Sequence, residues 1–217
     1  LYASGTAVRN GPVYALQEFV PPPPMGEDEA PELIIGGDFS TFGGGGANNI
    51  VSVTLDPMGA GGLGSVVVNN MGGGANDTVY ALTLWDRDGE GDAQAPELIA
   101  GGSFTNIGGR IATWDGAAWN TLGLPPMGVQ PGFNNTVRSL VAFTDEEFGV
   151  GLGPFEENPV LYAGGDFTTA DGDQALRLAR LEFTARTGPR QGCRSWEAPT
   201  SAASRTRSSG STTPSST

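Results

Sequence analysis

The stretch DRDGEGDAQAPE, from Asp86 to Glu97, is the densest set of residues in this chain able to do chemistry. Asp86, Asp88, Glu90 and Asp92 alternate along it, with Gly91 sixth and Glu97 twelfth. Hard carboxylate oxygens at alternate positions of a turn, closed by an acidic residue at the twelfth, are the ligand pattern of a calcium loop, here with Glu90 where Asp or Asn is usual. Calcium is the one cofactor the sequence suggests. The competing reading is a solvated acidic loop. Equivalent insertions elsewhere, VPPPPMGEDEAPE and TDEEFGVGLGPFEENP, are acidic without that spacing, and Glu97 corresponds to Glu32 at the start of a strand. A second group, Asp166, Asp171 and Asp173 in DFTTADGDQ, sets carboxylates beside a glycine turn. It reads either as metal ligands or as turn-forming Asp that hydrogen-bonds its own backbone.

Absences narrow the chemistry further. The chain has no His, and all 11 of its basic residues are Arg. The commonest general base, the commonest zinc ligand and every Schiff-base mechanism are therefore missing. Cys193 is alone, so no intrachain disulfide forms. The net charge of −13 conceals a split: 23 acidic residues face 6 Arg up to Thr184, whereas the remainder holds 5 Arg and only Glu197. An acidic body repels phosphate backbones and anionic membrane surfaces, which argues against nucleic-acid binding. No apolar run approaches the length of a membrane span, and the opening LYASGTAVRNGPVYAL lacks the basic-then-apolar order of a signal peptide.

The elements that must position these residues repeat three times. A first apolar run reads PVYALQEF, TVYALTLW and TVRSLVAF, at spacings of 66 and 58 residues. A second reads ELIIGGDFSTF, ELIAGGSFTNI and VLYAGGDFTTA, at spacings of 65 and 63. A third appears as NNIVSVTLD, GRIATWDG and LRLARLEF, and a fourth as GSVVVNN, AAWNTLG and CRSWEA. With 35 Gly and 16 Pro punctuating short alternating runs, strands are expected and helix is not. Four short strands per unit of about 60 residues suit a four-stranded antiparallel propeller blade.

Within this pattern Gly36, Gly37, Gly101, Gly102, Gly164 and Gly165 end the second strand, where Gly permits a bulge or close backbone approach. Asp115 and Gly116 suit a tight hairpin, and Trp114 and Trp119 are expected to pack between blades. The unit LIAGGSFTNIGGRIATWDGAAWNTLGLPPM resembles the kelch-type blade. It is also similar to the glycine-rich repeats, akin to the delta-60 type, of long bacterial extracellular β-propeller proteins. The likeness covers residues 12–184 and implies an all-β propeller fold and an extracellular or cell-surface location. A radical-copper oxidase of kelch-like fold would need His ligands, which this chain lacks.

The expected organisation is a strand of a preceding blade or linker over 1–11, blades over 12–77, 78–135 and 136–198, and a disordered Ser/Thr/Arg-rich tail over 199–217. Three blades do not close a ring of the usual four to eight. Further blades of a longer chain or self-assembly are therefore expected. The function expected is a non-catalytic structural or ligand-binding module with a protein or glycan partner. The alternative is a carbohydrate-active enzyme whose acid and base are loop carboxylates. Trp85, with Tyr2 and Phe148, is a candidate for stacking on sugars.

Overall fold

The computed structural model describes residues 10–22, 30–56, 65–86, 95–122, 132–143 and 160–181. The chain is all-β, and among the described residues the only helical turn is a 3-10 turn at Met71–Gly73. A first four-stranded sheet is formed by β1 (Val13–Phe19), β2 (Glu32–Gly37), β5 (Ile50–Asp56) and β6 (Ser65–Asn69) in that order. A small ribbon, β3 (Thr41–Phe42) with β4 (Gly45–Gly46), is inserted between β2 and β5. The second four-stranded sheet contains β7 (Val79–Trp85), β8 (Glu97–Gly102), β9 (Ile111–Trp114) and β10 (Trp119–Thr121). The third orders β11 (Val137–Phe143), β12 (Val160–Gly165) and β15 (Leu178–Leu181), with the ribbon β13 (Thr169–Ala170) and β14 (Asp173–Gln174) before β15. Among the described residues all pairings are antiparallel, and within each of the three sheets every strand pairs with the next strand of that sheet in the chain, the two small ribbons being inserted between partners. The described sheets do not form a closed ring.

Three features of the expected organisation lie wholly or mostly outside the described residues: the strand or linker over 1–11, the CRSWEA strand and the 199–217 tail. The third sheet accordingly shows three strands among the described residues.

The sheets succeed one another through their first strands, with β1 beside β7 and β7 beside β11. One apolar layer joins Phe19, Ile34 and Ile50 of the first sheet to Val79, Leu98, Ala112 and Trp114 of the second. Another joins Trp85, Ile99 and Ile111 to Val137, Leu161, Ala163 and Leu181 of the third. The middle sheet is thus covered on both faces, which is why Ile111, Ala112, Thr113 and Trp114 are all buried although their side chains alternate.

A bulge repeats at the start of each first strand. Val13 faces Gly37 and Ala15 faces Gly36, leaving Tyr14 as the extra residue. Tyr80 and Arg138 hold the same place in β7 and β11. An inserted residue shifts the side-chain alternation by one. It therefore brings Val79 and Leu82, three apart in sequence, onto the same side of β7.

Candidate functional site

The two glycines of each pair have different duties. A methyl group built on Gly36 would meet Val79 Cγ1 at 2.7 Å and Leu82 Cδ1 at 3.5 Å, both from the next sheet. On Gly101 it would meet Val137 Cγ1 at 2.7 Å and Leu140 Cδ1 at 3.0 Å, the same two positions one sheet further on. The first glycine is a socket for the Val and Leu of the following sheet. The second is pinched within its own sheet: Gly37, Gly102 and Gly165 lie against the carbonyls of Pro12, Thr78 and Thr136 and under the rings of Phe39, Phe104 and Phe167. Those carbonyls accept from the amides of Asp38, Ser103 and Asp166, each at 2.9 Å. None of these six glycines has a positive φ, so contact distance and not backbone conformation demands them. Left-handed residues stand instead just before the third strand, at Asn49, Arg110 and Arg177, whose φ values are 63°, 66° and 67°. Their carbonyls accept from Gly37, Gly102 and Gly165, a recurrence the glycine-based reading of turns did not anticipate.

An asparagine clamp secures the same end of each sheet. Asn10 Oδ1 accepts from the amides of Ser40 and Thr41 at 2.8 and 3.1 Å. Asn76 Oδ1 accepts from Thr105 at 2.8 Å, and its amide donates to Thr105 Oγ1 at 3.0 Å. Asn134 repeats the pattern with Thr168 and Thr169, at 2.9 and 3.0 Å. The three asparagines are spaced 66 and 58 residues apart, as the first strands are. That spacing was the available signal.

The bulge residues form a ladder across the sheets. The rings of Tyr14 and Tyr80 lie 5.2 Å apart, and the Arg138 guanidinium stands 5.2 Å above Tyr80. Arg138 Nε donates to Asp166 Oδ2 at 2.7 Å, and Arg177 approaches the other oxygen at 3.9 Å. The hydrogen bond from Arg138 holds the Asp166 carboxyl below its usual range.

The acidic candidates separate in consequence. Asp166 is engaged by Arg138. Asp171 sits in a left-handed turn with Gly172 and exchanges hydrogen bonds with Gly132, while Asp173 is exposed. Of the two readings of this group, turn formation describes Asp171, while Asp166 is held in an ion pair. Asp86 and Glu97 stand at neighbouring strand ends, where Glu97 pairs with Trp85. Asp88, Glu90 and Asp92 lie outside the described residues. Among the described residues no three His, Cys, Asp or Glu side chains converge.

Asp115 organises the hairpin between β9 and β10. One carboxylate oxygen accepts from the amides of Ala117 and Ala118 at 2.9 and 2.8 Å, the other from Asn120 at 2.8 Å. The two backbone bonds hold its pKa below the ordinary 3.8. Gly116 takes φ 99° in this turn. Trp114 is buried against Trp119, whose Nε1 donates to the Met71 carbonyl at 2.8 Å, tying β10 to the 3-10 turn that follows the first sheet.

Trp85 is buried in the layer between the second and third sheets, which corrects its assignment as a sugar-stacking surface residue. Tyr2 and Phe148 lie outside the described residues. An open cavity of about 540 Å³ lies where these two sheets meet, lined by Arg110, Asn134, Phe133 and Thr121 among others. Arg110 Nη1 donates to the Phe133 carbonyl and Asn134 serves the clamp, so its principal polar groups are already employed. No helix of the described residues is long and apolar enough to cross a membrane. Comparison with protein-family models, curated proteins and solved structures finds no match for this chain.

Proposed function

We propose that this chain is a kelch-like β-propeller module with a non-catalytic, structural or ligand-binding role in a bacterial extracellular or surface protein. The observation that carries this reading is the recurrence of one inter-sheet joint. Val79 and Leu82 seat on Gly36, and Val137 and Leu140 seat on Gly101, with the same bulge and the same asparagine clamp in each unit. Consecutive antiparallel meanders stacked through their first strands are what successive blades require. The polar side chains best ordered by the fold, Asn10, Asn76, Asn134 and Asp115, are spent on backbone amides. That employment suits support better than proton transfer, which needs a group free to reach a substrate.

The test is to incubate the chain with a panel of polysaccharides, following retention on the immobilised glycan and release of reducing ends in parallel. No release is expected, with or without retention. Release abolished by a single carboxylate substitution overturns the non-catalytic reading in favour of a glycosidase.

A further inference from the structure

The two outer faces of the three-sheet stack are the two halves of the joint found between the sheets. On the first sheet the knob is bare: Leu16, equivalent to Leu82 and Leu140, is 60% exposed, although both equivalents are packed in a seam. Val13, equivalent to the fully buried Val79 and Val137, is only partly covered. On the third sheet no following sheet among the described residues fills the socket. A methyl group built on Gly164, equivalent to Gly36 and Gly101, would meet Ser139 Oγ at 2.6 Å and the Arg177 carbonyl at 3.9 Å, both within its own unit. Phe143 is 51% exposed where its equivalents Phe19 and Trp85 are 1% and 3%. Leu178 is 42% exposed where Ile50 and Ile111 are 0% and 2%. Each outer face lacks the surface that the other provides.

We propose that two copies of this chain close head to tail into one ring of six sheets, Val13 and Leu16 of each copy seated on Gly164 and Phe143 of the other. The inference rests on the propeller reading and names its partner. The ladder of bulge residues favours a copy of this chain over an unrelated apolar surface. Arg138 covers one face of its joint with Tyr80 and ends the series. The residue that a docked first sheet would bring next to it is Tyr14, so the arriving ring extends the cation–aromatic contact already made by Tyr80. Ring size selects the copy number: two copies of three sheets fall within the usual four to eight blades, and three copies exceed it. A head-to-tail interface that closes also leaves no apolar face in water, as an uncapped repeat stack would.

The mass of the 217-residue chain is measured by light scattering or sedimentation at physiological ionic strength, where repulsion between two chains of charge −13 is largely screened. A particle of twice the 22.3 kDa chain mass is expected. Leu16→Asp and Phe143→Asp change exposed side chains and should each halve that mass with an unchanged far-ultraviolet spectrum. Mixing the two variants restores dimers, because one knob and one socket remain intact between them. An isologous dimer would be lost with only one of the two variants and would not be restored by mixing, either of which overturns the proposal. A wild-type chain that runs at 22.3 kDa also overturns it, and leaves the non-catalytic reading to the glycan assay.

Discussion

Three glycine-to-alanine substitutions grade the closeness of backbone approach in a single fold. In Gly102→Ala the new methyl group faces the Thr78 carbonyl oxygen and lies 2.8 Å from Phe104 Cδ1. That carbonyl is held by the Ser103 amide at 2.9 Å, so relief requires the two strands to part. Overpacking a close-packed site costs about 1–3 kcal/mol, and backbone displacement puts this case at or above the top of that range. At about 2–4 °C per kcal/mol for a chain of this size, melting should fall by roughly 6–12 °C. In Gly101→Ala the methyl group meets Val137 Cγ1 at 2.7 Å and Leu140 Cδ1 at 3.0 Å. Leu140 can turn and the stiff Val137 cannot, so a loss of about 1–2 kcal/mol is expected. In Gly46→Ala nothing lies within 4 Å and φ is not positive, so reduced freedom of the unfolded chain should stabilise by about 0.4–1 kcal/mol. Calorimetric melting at one fixed protein concentration separates the three. Equal melting temperatures for Gly102→Ala and Gly46→Ala would refute the close approach of Gly102 to the Thr78 carbonyl.

The asparagine clamp and the Asp115 turn give two further expectations. Asn76→Ala removes the bonds to the Thr105 amide and hydroxyl, each worth about 0.5–1.5 kcal/mol net, so chemical denaturation should show a loss of about 1–2 kcal/mol. Asn76→Asp, which keeps the acceptor for the Thr105 amide, should lose less; an equal loss would place the stabilisation elsewhere. Asp115 has a lowered folded pKa, so its contribution is present above the ordinary 3.8 and fades as pH falls through the lower folded value. Asp115→Asn should therefore flatten the acid limb of the stability curve between 3.8 and the lower folded value, and a limb identical to the wild type would show the turn to be irrelevant there.

The strands were legible because their burial demands recur: the Val and Leu of the first strand, the glycine pair and the following Phe reappear in every unit in the same order. The joint itself was hidden at its pivot. The bulge position is Tyr14, Tyr80 and Arg138, with no glycine or other turn-former to mark it, since a bulge is a matter of register and not of side-chain type. The left-handed position before the third strand is Asn49, Arg110 and Arg177, so a search for glycine passes over it. Trp85 was misplaced because a strand end beside a polar insertion reads as surface. Burial there depends on the next sheet, which local sequence does not display.

The repeated joint also divides the molecule into a committed end and an open one. Val13 pairs with Gly37 at one end of the first two strands and Phe19 with Glu32 at the other, and the same polarity holds for Val79 to Trp85 and Val137 to Phe143. The Val–Gly seating and the Tyr14–Tyr80–Arg138 ladder bring like ends of the three sheets together. The end bearing the glycine pairs also bears the asparagine clamps and the left-handed residues, and its polar groups are occupied in holding strands. The insertions between first and second strands all leave from the opposite end, differ from one another in sequence, and contain half of the chain's 24 acidic residues. Variation is tolerated where backbone is not needed for a joint. Sequence of that charge attracts cations and repels phosphate, so the variable, acidic segments and the repeated joint depart from opposite ends of the same strands.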